Sequence, residues 1–262
     1  MDLGLTGRTA VVMGASQGLG EASARQLAAE GAHVVLVARR EDALQAVKQS
    51  IEADGGSASV AVCDLFEPTS RHNLVATLKG LPQLDVLVAN SGGPAPGMAP
   101  GIDASTWTRE FDAMVLGLIE VIDAAAGKMK ESGYGRILVI GSSGVVVPIP
   151  KLAVSNTLRS AVGGYVKTLA EQVASFGVTC NMVLPGRVET LRTHAIDAAT
   201  AKSMGVSEEE ARARSIATIP AGRYGQPREF GAVVTFLASE QAGYITGSQI
   251  RVDGGAIRSI NA

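Results

Sequence analysis

Only two cysteines occur among 262 residues, with a single tryptophan and aromatics at 4%. Cys63 and Cys180 sit in or at the end of β-branched runs. They read as core thiols in a reducing compartment, which excludes a disulfide scaffold. Charge is also scarce: charged residues make up 18% and the net charge is −2. That balance excludes a general nucleic-acid surface and a polybasic membrane surface. No apolar run reaches the ~18 residues of a membrane span. The opening MDLGLTGRTA has no basic stretch ahead of an apolar one, so no secretory leader is expected and a cytoplasmic location is. No His/Cys/Asp/Glu group has metal-ligand spacing, so no metal is expected.

What the chain does have is small apolar residues. Hydrophobic residues reach 46% and there are 31 glycines, the mark of an α/β interior with buried parallel strands. Short β-branched runs fall at Thr9–Met13, His33–Val37, Ser59–Val62, Asp85–Ala89, Arg136–Ile140, Val178–Leu184 and Gln249–Val252. Helical stretches lie between them, at Leu19–Glu30, Glu41–Ala53, Pro68–Lys79, Ser105–Glu131, Leu152–Phe176 and Pro227–Ala238. Strands alternating with helices imply right-handed crossovers. The expected fold is therefore α/β: a Rossmann-type doubly wound parallel sheet of about seven strands, with helices on both faces. No repeat or linker divides residues 1–262, so a single domain is expected. Thr190–Tyr224 reads as irregular, and its place after the sixth strand suits a substrate lid at about 190–224.

The turn Gly14-Ala15-Ser16-Gln17-Gly18-Leu19-Gly20 follows the first strand and opens a helix. Such glycines let backbone approach a pyrophosphate, and the helix N-terminus supplies N–H groups and positive dipole. The second strand ends in Ala38-Arg39-Arg40, without the acid that grips a ribose 2′-hydroxyl. Arg39 instead offers a planar guanidinium to a 2′-phosphate, which favours NADP(H) over NAD(H).

These motifs, with G-x-x-x-G-x-G spacing, resemble the short-chain dehydrogenase/reductase family. Matches run from residue 8 to residue 255. The resemblance implies that Asp64 and Leu65, after the third strand, meet the adenine. It implies that Asn90-Ser91-Gly92-Gly93 backs the cofactor, with Ala89 and Met13 as apolar departures that offset each other. Pro185-Gly186-Arg187-Val188-Glu189-Thr190 matches the P-G-x-x-x-T that meets the nicotinamide end. The C-terminal signature is carried by Arg223-Tyr224-Gly225-Gln226-Pro227, Ile245-Thr246-Gly247 and Val252-Asp253-Gly254-Gly255.

The chemical half departs from the family. A serine followed about 13 residues later by Tyr-x-x-x-Lys is the pattern of the relatives, in which tyrosine is the general acid/base. Here Ser142 is kept, but Ser155 takes the place of the tyrosine and Arg159 that of the lysine. Met114 stands where the relatives carry an asparagine. A serine hydroxyl is much less acidic than a phenol, and an arginine stays charged. The usual proton relay therefore has no donor. Arg159 lies on the helix face of Ser155 and retains the lysine's grip on the nicotinamide ribose. Tyr165 and Lys167 are Y-x-K and lie ~15 Å further up the helix, so Tyr165 reads as a core or interface aromatic. Lys151 and His194 could each reach a substrate as proton donors but read more simply as solvated loop residues, while His33 and His72 earn no role. Trp107 anchors the long helix, and Glu208–Glu210 with Arg212 and Arg214 read as a solvated lid helix with i,i+4 pairs.

Within the family the chain most resembles β-ketoacyl carrier-protein reductases. Three readings stand: an NADP(H)-dependent oxidoreductase acting on a small carbonyl or alcohol with a rearranged proton supply, an idle NADP(H)- or ligand-binding module, and non-redox chemistry on a carbonyl or enol. Ala161, Gly163 and Gly164 suggest close helix packing against a second subunit, and the resemblance implies a homo-oligomer, tetramer or dimer. The expected partner is otherwise a small-molecule substrate, with no nucleic acid and no membrane.

Overall fold

A computed structural model of the protein describes residues 2–260. Seven strands form one parallel sheet in the order β3-β2-β1-β4-β5-β6-β7. They are β1 (Thr9–Met13), β2 (His33–Ala38), β3 (Ser57–Val62), β4 (Val86–Ala89), β5 (Gly135–Ile140), β6 (Val178–Pro185) and β7 (Gln249–Val252). The order reverses between β1 and β4, which leaves a crevice at their carboxyl ends. Helices α1 (Gly18–Ala29), α2 (Glu41–Ala53) and α3 (Pro68–Gly80) make the first crossovers. They are followed by α4 (Ala104–Phe111), α5 (Gly117–Ser132), α6 (Ala153–Val173), α7 (Leu191–Met204), α8 (Glu208–Ile216) and α9 (Pro227–Ala238).

The strand runs are buried because alternate residues feed two separate cores. Val11, Met13, Leu87, Ala89, Ile137 and Val139 join α5 and α6 residues on one face. Ala10, Val12, Val34, Leu36, Val86 and Val88 join Leu27, Phe230 and Val234 on the other. Met13 and Ala89 belong to the same core, so the two apolar departures do meet in one place. Trp107 packs against this core as expected.

Three expectations are corrected. The long helix expected over Ser105–Glu131 is not continuous: a π-helical turn, Asp112–Leu116, separates α4 from α5. Arg71 packs against this turn, a buried side chain that reaches Asp112 Oδ2 at 2.7 Å and the Leu65 carbonyl at 2.9 Å. Gly117 leaves it room, since a Cβ there would lie 2.6 Å from Arg71 Cδ. The segment Thr190–Tyr224 is not irregular, because it holds α7 and α8, each with a side-chain N-cap (Thr190 and Ser207). Polar spacing without a strong apolar stripe hides α7 in the sequence, whereas α8 is the solvated helix read over Glu208–Arg214. Ala161, Gly163 and Gly164 do not share one face. Gly163 is buried toward Met182, Gln249 and Val145 of its own subunit, while Ala161 and Gly164 face outward.

The amino edge of the sheet is tied by arginines. Buried Arg136 donates to the carbonyls of Ser239, Gly135 and Gly177 at 3.0, 2.9 and 3.3 Å. Burial pulls its pKa down from the ordinary arginine value. Arg8 bonds Asp85 at 3.1 Å and stacks on the Tyr134 ring, whose opposite neighbour is Arg136.

Both cysteines are free and buried. Burial raises Cys63 and pushes Cys180 up to about 12. Neither thiol should react with an aromatic disulfide reagent at pH 8 in the native protein, and both should react in denaturant. A fast native reaction would contradict this packing.

Candidate active site

The crevice is built from the carboxyl ends of β1, β2, β4, β5 and β6. After β1, Gly14 and Gly18 take left-handed conformations, with φ of 67° and 63°. Only glycine holds these without strain. A Cβ on Gly20 would collide with the Gly14 carbonyl oxygen, so the turn closes on α1 backbone to backbone. A Cβ on Gly14 would lie 2.5 Å from the Asn90 amide nitrogen, which shows that the Asn90 side chain packs over the turn. Gln17 is the N-cap of α1 but places no side-chain cap on it. The first-turn N–H groups are thus left for a ligand. Gly18 faces Thr190, with 3.6 Å from its ideal Cβ position to Thr190 Cγ2. Ser16 is half-buried in the turn, and Leu19 packs on the core.

Arg39 and Arg40 stand at the end of β2. Arg40 donates to Gln17 Oε1 at 3.0 Å, and Arg39 is exposed, 3.9 Å from Asp64 Oδ2. The other Asp64 oxygen accepts the Phe66 N–H at 3.0 Å. Leu65 packs against the core and its carbonyl is taken by Arg71. Gly92, after β4, faces open space. Gly186 packs flat on Asp253, with only 2.6 Å from its ideal Cβ position to that Cα. Pro185 ends β6, and Val188 is buried beside Gly225. A glycine turn at an uncapped helix start, two guanidinium groups and open space at Gly92 together fit a phosphate-bearing dinucleotide with a 2′-phosphate.

Ser142 stands at the carboxyl end of β5, and Arg159 reaches the carboxyl ends of β4 and β5 from α6, one helical turn after Ser155. Ser142 follows β5, and its hydroxyl oxygen accepts the Gly144 N–H at 3.1 Å. Its own hydrogen remains to be donated. Ser155 is buried in the first turn of α6. Arg159, one turn on, donates to the carbonyls of Ile140 at 3.0 Å and Ser91 at 3.4 Å. Those bonds pin the guanidinium between the ends of β4 and β5. Burial, and then the charge of Arg192, pull its pKa down to about 10. It therefore stays a cation near neutral pH. Met114 is buried in the π-helical turn and brings no polar atom.

Other candidate donors are engaged elsewhere or lie on the surface. The His194 Nε2 atom sits 3.1 Å from Glu189 Oε1. Lys151 is exposed and takes a left-handed conformation at φ 60°, while its carbonyl accepts the Gly97 N–H at 2.7 Å. The Tyr165 hydroxyl donates to Asp123, and burial with that bond drives its pKa far up. Tyr224 is buried on Asp197 at 2.9 Å, and burial raises its pKa too.

Three residues that pattern reasoning passed over matter here. Asn156 binds the Ile149 carbonyl at 2.9 Å and the Ile149 N–H at 3.3 Å, which fastens the loop after Ser142 to α6. Arg40 shares the end of β2 with Arg39. Arg192, in the first turn of α7, lays its guanidinium over Gly93. The sequence signal for Arg192 is its place two residues after Thr190.

The pairing expected along α8 is half right. Arg214 bonds Glu210 one turn away, but Arg212 reaches back to Glu189 with both nitrogens, at 2.8 and 2.6 Å. That hydrogen bonding holds the Glu189 carboxyl below its usual range. Arg187, 3.7 Å from Asp197, belongs to the same group of contacts.

Among known proteins, the family profile described as Enoyl-(Acyl carrier protein) reductase matches residues 14–256. The NADPH-dependent reductase BacG of Bacillus subtilis is 33% identical over 97% of this chain and 99% of its own. The 3-oxoacyl-[acyl-carrier-protein] reductase FabG of Escherichia coli is 33% identical over 95% of this chain and 97% of its own. The crystal structure of YwfH, an NADPH-dependent reductase involved in bacilysin biosynthesis, superimposes with a TM-score of 0.92 at 32% identity, covering 97% of this chain and 99% of that one.

Proposed function

The chain belongs to the short-chain dehydrogenase/reductase family, and from that premise we propose an NADP(H)-dependent oxidoreductase that reduces a small carbonyl, or oxidises the matching alcohol, with an atypical proton supply. The carrying observation is the cradle formed by Gly14, Gly18 and Asn90 at the start of α1, with Arg39 and Arg40 beside it. The first turn of α1 takes the pyrophosphate, and the two arginines take the 2′-phosphate. Asp64 and Leu65 lie toward the adenine; Gly92, Pro185, Gly186, Val188 and Thr190 lie toward the nicotinamide. NADPH, when bound, supplies a hydride. The NADPH dependence of BacG and YwfH supports this choice of cofactor.

Ser142 donates its hydrogen to the substrate oxygen and orients the carbonyl. Arg159, fixed on two carbonyl oxygens, holds positive charge where negative charge develops on that oxygen. Neither group gives up a proton. The substrate oxygen that gains negative charge would take its proton from water, which leaves hydroxide, or from an acidic group of the substrate itself. Ser155 contributes a small polar surface beside Ser142 in place of an acid. Residues 190–224 close over this site as a lid, and the outward faces of α5 and α6 join subunits in a homo-oligomer.

The test is fluorescence titration with NADPH and NADH, followed by NADPH consumption over a panel of ketones, aldehydes and β-ketoacyl thioesters. The expected result is tighter NADPH binding and slow turnover of at least one member. Binding without any consumption favours the second reading, an idle cofactor-binding protein, for which the missing phenol at position 155 is the supporting observation. Failure to bind either nucleotide sinks both readings.

A further inference from the structure

Two arginines share the crevice with no acidic partner. Arg159 meets the Ser91 carbonyl, and the Arg192 guanidinium carbon comes 2.7 Å from the ideal Cβ position of Gly93. Ser91 and Gly93 belong to one short turn at the end of β4, so the two cations flank it. Most other arginines near the crevice are matched: Arg187 with Asp197, Arg212 with Glu189, Arg223 with Glu229, and Arg39 near Asp64. Among the described residues Arg192 has neither an ion pair nor a hydrogen bond. Like charges in one crevice repel, and the lowered pKa of Arg159 reflects in part the charge of Arg192. Arg192 is exposed to solvent, and an anion entering the crevice would be its first charged partner.

We infer that the substrate carries a carboxylate, held by the fork of Arg192 beside the pinned Arg159 while the reacting carbonyl faces Ser142. This deepens the reductase reading and rests on it. A guanidinium presents parallel N–H donors that match a carboxylate, and such charge-assisted bonds are about twice as strong as neutral ones. The absence of a side chain at Gly93 is what leaves room for the Arg192 guanidinium beside the turn. The other anion within reach is the pyrophosphate of the cofactor, since Thr190, two residues earlier, faces Gly18. Yet the phosphate-holding elements follow β1 and β2, whereas Arg192 leans over the turn after β4 toward Arg159.

The experiment compares 2-oxobutanoate and 4-oxopentanoate with their methyl esters, by saturation-transfer NMR on the chain with and without NADPH. At least one acid should bind about tenfold or more tightly than its ester. Arg192→Gln should weaken that acid by about 10 to 100-fold, the loss of a charge-assisted hydrogen bond, and leave the ester and the NADPH Kd unchanged. Gly93→Ala, which pushes the guanidinium aside without removing charge, should shrink the same preference. Equal binding of acids and esters, or no binding of either, overturns the inference. So does an Arg192→Gln variant that loses NADPH affinity by the same factor, which assigns the guanidinium to the cofactor's phosphate. A wild type that binds no NADPH defeats the reductase reading, while the acid-to-ester ratio on the chain alone still decides this one.

Discussion

Replacing Ser155 by tyrosine and Arg159 by lysine together should raise NADPH-dependent reduction of simple ketones by about 10² to 10⁴-fold, the usual contribution of general acid catalysis. Ser142 already lies in the crevice with its hydrogen free to donate, and Asn156 holds its loop. On the proposed mechanism no side chain at positions 142, 155 or 159 protonates the alkoxide. A phenol at position 155, beside a lysine at position 159, brings back a group whose pKa the neighbouring ammonium lowers. Each substitution alone should do little, because Arg159 keeps its bonds to Ile140 and Ser91 and leaves no short cation near the phenol. Adding Met114→Asn tests whether a polar atom in the π-helical turn matters. The measurement is kcat for both variants and the wild type, with thermal melting to check that the larger side chain is accepted. A wild type that already turns over at an ordinary rate, and keeps it after Lys151→Ala with His194→Ala, means that the acid is a group assigned no proton here.

The second large effect concerns the cofactor. Arg39→Ala with Arg40→Ala should weaken NADPH by about 100-fold or more and leave NADH nearly unchanged. Each guanidinium on a 2′-phosphate is worth ~1.5–3 kcal/mol, or about 10 to 150-fold. Arg39 carries a competing contact with Asp64 at 3.9 Å, and Arg40 one with Gln17 at 3.0 Å. Both arginines are exposed, so neither contact keeps its arginine from a doubly charged phosphate. Titration of the wild type, the two single variants and the double variant separates their shares. An unchanged preference in the double variant would falsify the assignment of these two residues.

The sheet was legible because parallel strands buried on both faces read as continuous β-branched runs, and every strand fell within about two residues of its expected place. The glycine turn was legible because its constraint is local: Gly14 and Gly18 need positive φ, and that need is written in the residue type. The π-helical turn was not, since the Arg71 that packs against it arrives from α3 to meet Asp112. Helix α7 was hidden because its buried residues, Thr193, Asp197 and Ala201, are not large and apolar. The serine and arginine at positions 155 and 159 are read from the sequence alone, but what surrounds them is not. Arg192 meets Gly93 across ninety-nine positions of chain, and no spacing rule connects them.

The arginine ties at the amino edge have an evolutionary consequence. Arg136, Tyr134, Arg8 and Asp85 lock the ends of the strands that lie opposite the crevice. None of Ser142, Ser155, Arg159 or Met114 takes part in that lock. Substitutions at those four positions should therefore leave the ties at the amino edge in place. The separation makes such a protein evolvable: selection on chemistry and selection on folding act on different ends of the same strands, and drift at one end leaves the other intact.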